Sequence, residues 1–281
     1  MKKLYFVQIA YSYDRRLTYL PYAAGCLSAA VQADERLKET FGAPEILFQR
    51  VPVEQNLAQI RDPDVVSFTN YIWNAEYNKR LAKAVKERYP NCLIVFGGHD
   101  IASDGGLLRR EAYVDIAMFG EGEISFPLLL KAVLQKESPK NVPGAAFRQN
   151  GEVVTVPAAA TDDLSGFVSP YLTGVFDRIL TEHPGMEFHA TLETNRGCPY
   201  SCSYCEWCFD KKLRLFPMEK VKAEIEWMGQ KKIEYCFCAD GNFGILPRDL
   251  DIAKWVVEVR KRYGGYPKMF KPTYAKNSND T

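Results

Sequence analysis

Residues 4–137 alternate continuously apolar runs with stretches of helical period, and few folds accommodate that alternation. The apolar runs are LYFVQIA (4–10), EILFQRVPV (45–53), DVVSFTNYIW (64–73), CLIVFGG (92–98) and VDIAMFG (114–120). Between them, residues 23–42 are helix-like and end on Gly42. Residues 75–90 carry Tyr77, Leu81, Ala84 and Val85 on one helical face and stop at Pro90, and residues 123–137 read as a closing helix. Strands apolar on both faces and separated by helices imply a parallel sheet covered on both sides. The fold class expected is α/β, a doubly wound domain of the flavodoxin or Rossmann kind over residues 1–145.

Ligands of such sheets bind beyond the carboxyl ends of the strands. The exits to watch read YSYDRRLTYLP after the first strand, TNYIWN after the third, GGHDIASDGG after the fourth and GEGEISF after the fifth. They single out Thr69, Asn70 and Tyr71, then Gly97, Gly98 and His99, then Gly120, Glu121 and Gly122. Gly97 and Gly98 clear side chains where a bulky ligand could approach, and Gly120 and Gly122 precede a helix N-terminus. The competing reading is that these glycines only make turns.

Asn150-Gly151 between strand-like runs signals a hairpin, and residues 158–174 are small, polar and turn-rich. Residues 146–185 are therefore expected to be a hairpin and linker. A second domain follows from 186: a strand at 188–194, a helix from Met218 to Gln230, a strand at 233–239, a helix at 250–263 and a strand at 268–274. This is the beginning of a (β/α) barrel, whose active face lies at the C-terminal ends of its strands. The segment TNRGCPYSCSYCEWCF (194–209) leaves its first strand, and ADGNFG (239–244) leaves its second.

The totals exclude several classes. Of 281 residues, 47% are hydrophobic and 25% charged, enough for two cores, and the net charge of +1 gives no field for nucleic acid or an anionic membrane. The apolar start is too short for a spanning helix and has no signal-peptide cleavage site, so the expected location is cytoplasmic. Six of eight cysteines fall between 198 and 238, in a chain too large to need a disulfide framework, which points to metal or redox chemistry. Cys26 and Cys92, among apolar residues, read as small core residues.

Cys198, Cys202 and Cys205 give three ligands from one compact loop. Three thiolates can anchor a four-iron cluster and leave one iron without a protein ligand. Zinc is the alternative, because Cys205 and Cys208 could pair with Cys236 and Cys238, although that set leaves Cys198 and Cys202 unexplained.

Cys-x3-Cys-x-aromatic-Cys, with Tyr204 as the aromatic, resembles the signature of the radical SAM enzymes. NRGCPYSCSYCEW behind a doubly wound domain and a linker resembles the cobalamin-dependent branch of that superfamily. The resemblance implies that Cys198, Cys202 and Cys205 bind a 4Fe-4S cluster whose remaining iron takes the amino and carboxylate groups of S-adenosylmethionine (SAM). Tyr204 would lie beside the adenine, and Asp240 and Asn242 would serve the methionine end, although Asp240-Gly241 also reads as a turn and the family's Gly-Gly-Glu is absent. The nine strand-exit residues named above would hold cobalamin. Many cobalamin domains carry Asp-x-His-x-x-Gly after the first strand. Here Asp14 is present, but Arg16 stands where the cobalt-ligating histidine would be, and a guanidinium offers cobalt no lone pair. Cobalamin without a histidine lower ligand is expected, with His99 the one histidine at a strand exit; His183 and His189 show no partner pattern.

The activity implied is methylation of an unactivated carbon. SAM cleavage generates a radical that removes hydrogen, and methylcobalamin supplies the methyl group at a site between the domains, with Trp73 and Trp207 as candidate walls. The alternatives are a rearrangement or cyclisation, or a zinc- or corrinoid-binding protein without radical chemistry. Implied partners are a small-molecule or peptide substrate and an electron donor such as flavodoxin or ferredoxin. Cys208 is expected to be a bystander and Cys236 and Cys238 core or barrel lining. No residue is singled out as catalytic. Three barrel strands against the family's six imply a fragment with an open sheet edge and poor activity alone.

Overall fold

Successive side chains of a strand point to opposite faces, and in the first half of this protein both faces are filled. The computed structural model describes residues 1–11, 17–205 and 210–275. Its elements run β1 (Leu4–Val7), β2 (Leu17–Tyr19), α1 (Tyr22–Ala33), α2 (Glu35–Phe41), β3 (Glu45–Leu47), α3 (Val53–Gln59), β4 (Val65–Thr69), α4 (Ala75–Arg88), β5 (Leu93–Gly97), α5 (Gly106–Arg110), β6 (Ile116–Met118), α6 (Gly122–Gln135), β7 (Ala145–Gln149) and β8 (Glu152–Thr155). They continue with α7 (Asp177–Glu182), β9 (Glu187–Leu192), β10 (Asn195–Arg196), β11 (Arg214–Leu215), α8 (Met218–Gln230), β12 (Tyr235–Phe243), α9 (Pro247–Arg262) and β13 (Met269–Tyr274). Two compact units result: residues 1–15 with 23–160, and residues 16–22 with 161–281.

The sheet of the first unit has the order β3-β1-β4-β5-β6-β7-β8. Its first five strands are parallel, in the order of a doubly wound fold. On one face Leu4, Phe6, Val65, Val95 and Ile116 pack with Ala24 and Val31 of α1 and Phe126, Leu129 and Leu130 of α6. On the other, Tyr5, Val7, Val66, Phe68, Ile94 and Phe96 pack with Leu81 and Val85 of α4 and Leu107 of α5. The Phe68 and Phe96 rings stack with centroids 4.9 Å apart. Each such buried side chain contributes about 1.5–3 kcal/mol through removal from water.

Three local features differ from the sequence reading. The helix expected over 23–42 is two, because the Asp34 carboxylate accepts a hydrogen bond from Leu37 N–H (3.1 Å) and starts α2 afresh. The second strand ends at Leu47, and Pro52 is the N-cap of α3, a helix the apolar run concealed. The hairpin expected in the linker extends the first sheet antiparallel to β6, with Asn150 and Gly151 both at positive φ (53° and 85°) in its turn.

The second unit has a sheet of order β13-β12-β9-β2, parallel throughout. β2 is a correction: the sequence reads it as part of the first strand's exit loop, but Leu17–Tyr19 pairs with Glu187–His189. Leu20 N–H continues the ladder to His189 C=O (2.8 Å), and the Tyr19 ring meets His189 edge-on (5.2 Å). β13 is an edge of this sheet among the described residues. Val221, Ile225 and Met228 of α8 and Ile252, Val256 and Val259 of α9 are buried. Cys236 and Cys238 are also buried, and burial pushes both thiols well up. No described helix is long and apolar enough to cross a membrane.

Glu224 of α8 is 1% exposed, and burial pushes its carboxyl from 4.5 up to about 7, with Lys220 Nζ 3.7 Å away pulling against the shift. Between those two values the folded chain binds a proton that the unfolded chain does not. The stability contribution of this acid therefore falls as pH rises from 4.5 to about 7 and is lost above it. Glu224→Gln is expected to flatten that part of the pH profile and to stabilise the protein at pH 8, by on the order of 1 kcal/mol or more. Thermal unfolding midpoints between pH 5 and 8 check this.

Candidate functional site

After β9 the chain passes Thr194 and enters β10, which pairs antiparallel with β11. This short ribbon closes the base of the loop that carries the three cysteines. Gly197 sits at φ +96°, and a Cβ there would lie 2.2 Å from Lys212 C=O, so the loop can leave the ribbon only through glycine. Cys198 N–H donates to Asp210 C=O (2.9 Å), and Cys205 N–H to Cys202 C=O (3.1 Å). Cys198 is buried, Cys202 and Cys205 are half-buried, and none of the three is in a disulfide. Among the described residues no three His, Cys, Asp or Glu side chains converge on a single ion. Three cysteine thiols within eight residues are the donor set that a four-iron cluster would take. Cys208 and Trp207 lie outside the described residues.

The exit of β12 grips this loop. Cys236, Cys238, Asp240 and Asn242 are alternate, buried residues, so the row turns from apolar to polar at its C-terminal end. The Asp240 carboxylate accepts from Thr194 N–H (2.7 Å), Asn195 N–H (3.3 Å) and Asn195 Nδ2 (2.9 Å), and from the Thr194 hydroxyl. Burial pushes its pKa up to about 6, and these donors hold it back from rising further. Two positions on, Asn242 Nδ2 donates to Cys198 Sγ (2.9 Å). Asp240 and Asn242, expected to serve the methionine end of SAM, thus make protein contacts to the cysteine segment. Tyr204, expected beside the adenine, is 78% exposed.

In the first unit the exits of β4 and β5 form one network. Asn74 and Asn78, a turn apart on α4 and its N-cap, both donate from Nδ2 to Thr69 C=O (3.1 Å each). Asn74 also reaches Ile9 C=O beyond β1 (3.2 Å). Asn78 donates to Asn70 Oδ1 (3.1 Å), and Asn70 donates to Asp100 (2.8 Å). Gly98, at φ +103°, would place a Cβ 2.5 Å from Asn70 C=O. Thr69, Asn70, Gly97 and Gly98 therefore come together as a rigid seat. On it Tyr71 stacks flat against Trp73 (4.5 Å, 6°), with His99 stacked on Tyr71 (5.9 Å) and Tyr11 edge-on to Trp73 (6.3 Å). Trp73 is 43% exposed, and Arg50 ties its backbone to that of Ala10. Gly120, Glu121 and Gly122 lie at the exit of β6, the strand beside β5, where Gly120 backs onto Ala158 and Gly122 onto Leu27. Asn74, Asn78 and Arg50 were not singled out from sequence; asparagines at 70, 74 and 78, four apart, were the available signal. Asp14 and Arg16 lie outside the described residues.

Residues 45–130 match the B12 binding domain family. Over 99% of its length the chain is 39% identical to the cobalamin-dependent radical SAM methyltransferase TokK of Streptomyces tokunonensis. Along nearly its whole length, and so across both units, the chain is similar to a cobalamin-dependent radical SAM methyltransferase. It is 37% identical, again over 99% of its length, to the 2-(S-pantetheinyl)-carbapenam-3-carboxylate methyltransferase of Streptantibioticus cattleyicolor. It spans 41% of the length of each of these relatives. The structure of OxsB, a cobalamin-dependent SAM radical enzyme with aqua-cobalamin and SAM bound, superposes with a TM-score of 0.71. That match has 18% identity and covers 93% of this chain and 37% of OxsB, so it is a likeness of fold. Asp240→Ala strands the buried donors of Thr194 and Asn195, and a loss of about 2–4 kcal/mol is expected, measured by denaturant unfolding.

Proposed function

We propose that this chain carries the cofactor-binding parts of a radical SAM enzyme that methylates an unactivated carbon of a small molecule, using cobalamin. The observation that carries this reading is the 39% identity to TokK, sustained over 99% of the chain and so across both units. The carbapenam methyltransferase, at 37% identity, supports a small-molecule substrate. Bound to the protein, a 4Fe-4S cluster with SAM supplies one-electron chemistry and cobalamin supplies the methyl group.

The chain's own residues would do the following. Cys198, Cys202 and Cys205 hold the cluster and leave one iron for SAM. The β10–β11 ribbon and the Asp240 hydrogen bonds fix where the loop starts, so the buried Cys198 is set before a cluster arrives. Half-exposed Cys202 and Cys205 remain free to close on it. In the first unit the seat of Thr69, Asn70, Gly97 and Gly98 and the flat aromatic group of Tyr71, Trp73 and His99 present a surface on which a planar macrocycle can rest. Gly120, Glu121 and Gly122 at the neighbouring exit would face the same cofactor. Tyr204 is the residue proposed to cover the adenine. The electron is supplied by a small donor such as flavodoxin or ferredoxin, and the protein works in the cytoplasm.

The test is anaerobic purification of the full-length protein with cobalamin, followed by iron, sulfide, cobalt and zinc quantification. About four irons and four sulfides per chain are expected. Cys198→Ala, Cys202→Ala and Cys205→Ala should each remove most of the iron and sulfide and leave the cobalt. Zinc at these thiols with no sulfide would overturn the reading. Turnover should add one methylene unit to the product mass; an unchanged mass with SAM consumed would point to rearrangement.

A further inference from the structure

The β12 exit carries a contact that cluster binding alone does not require. Asn242 is 3% exposed, its Nδ2 lies 2.9 Å from Cys198 Sγ, and its Oδ1 is buried with no hydrogen-bond partner. A side-chain amide has donors at one end and an acceptor at the other. A cysteine bound to iron is a thiolate, which only accepts, so Nδ2 must be the end that faces it. The opposite orientation would set an oxygen lone pair against sulfur charge in a dry site.

We propose that Asn242 is a positioning residue that hydrogen-bonds the Cys198 sulfur of the loaded cluster and raises its reduction potential. The inference rests on the reading that Cys198 binds the cluster. An N–H directed at a ligating sulfur withdraws electron density from it and favours the reduced, more negative state of the cluster. Hydrogen bonds to sulfur and burial are among the factors that set iron–sulfur potentials. The bond falls on Cys198, the buried one of the three, where water does not compete with the amide as a donor to sulfur. Asp240 strengthens the effect indirectly: by fixing Thr194 and Asn195 it fixes the path of the chain to Cys198, so the sulfur is held against the amide. The unpartnered Oδ1 stays available to a donor on a ligand, so an interaction with SAM and the bond to sulfur can coexist on one side chain.

The test uses the full-length protein, reconstituted anaerobically with iron and sulfide and without SAM, so that a lost SAM contact cannot contribute. Asn242→Leu removes the donor at similar volume. Asn242→Asp keeps the shape, removes the donor and adds a charge. A redox titration followed by electron spin resonance should move the midpoint to more negative potential in both, further in Asn242→Asp. Cluster loss to a chelator should be about 10-fold or more faster in both. If one variant fails to fold, as judged by circular dichroism, the other carries the test. Variants that load iron and sulfide as the wild type does and share its midpoint would overturn the inference and leave the cluster assignment standing. A wild-type protein that takes up no sulfide would overturn the assignment itself.

Discussion

The carboxylate of Asp240 organises the candidate site. It is buried at the end of β12, and its oxygens accept hydrogen bonds from the backbone and side chains of Thr194 and Asn195. Those two residues lie between the β9 strand and the cysteine loop. An uncompensated buried carboxylate is costly, so this arrangement persists only if the loop entry returns to the same place. Asn242 extends the grip to Cys198, and Gly197 gives the chain its one passable route out of the ribbon. The loop is thereby pinned at its buried end, while Cys202 and Cys205 lie nearer the surface. On the proposed reading, a site built this way would preset one ligand and let an assembling cluster gather the others.

The first unit solves a related problem mostly with neutral groups. Side-chain amides of Asn74 and Asn78 close the backbone carbonyls of Ile9 and Thr69, Asn70 links Asn78 to the Asp100 carboxylate, and Gly98 lets two exits touch. The result is a stiff polar base beneath partly exposed aromatic rings. Such a base suits a large, flat ligand, because the rings are already ordered and little side-chain entropy remains to be lost on binding.

Much of this was legible in the sequence, for identifiable reasons. Strands apolar on both faces announced the doubly wound sheet, and the spacing of Cys198, Cys202 and Cys205 announced the loop. What stayed hidden depends on long-range pairing. β2 is three residues in a polar exit loop, and only its ladder with β9, far along the chain, makes it a strand. The ribbon of β10 and β11 is two residues a side, below any periodicity. Asp240-Gly241 reads as a turn because the burial of Asp240 comes from Thr194 and Asn195, which no local window contains. The break at Asp34 was readable as a cap, but the apolar pattern ran straight across it.

The central claim is that three cysteines leave one iron of the cluster open to SAM. It is tested most directly by electron–nuclear double resonance on the reduced cluster of the full-length protein, with SAM labelled with nitrogen-15 at its amino group. The account predicts a hyperfine coupling from that nitrogen to the cluster. An intact, reduced cluster that shows no such coupling at saturating SAM would contradict it.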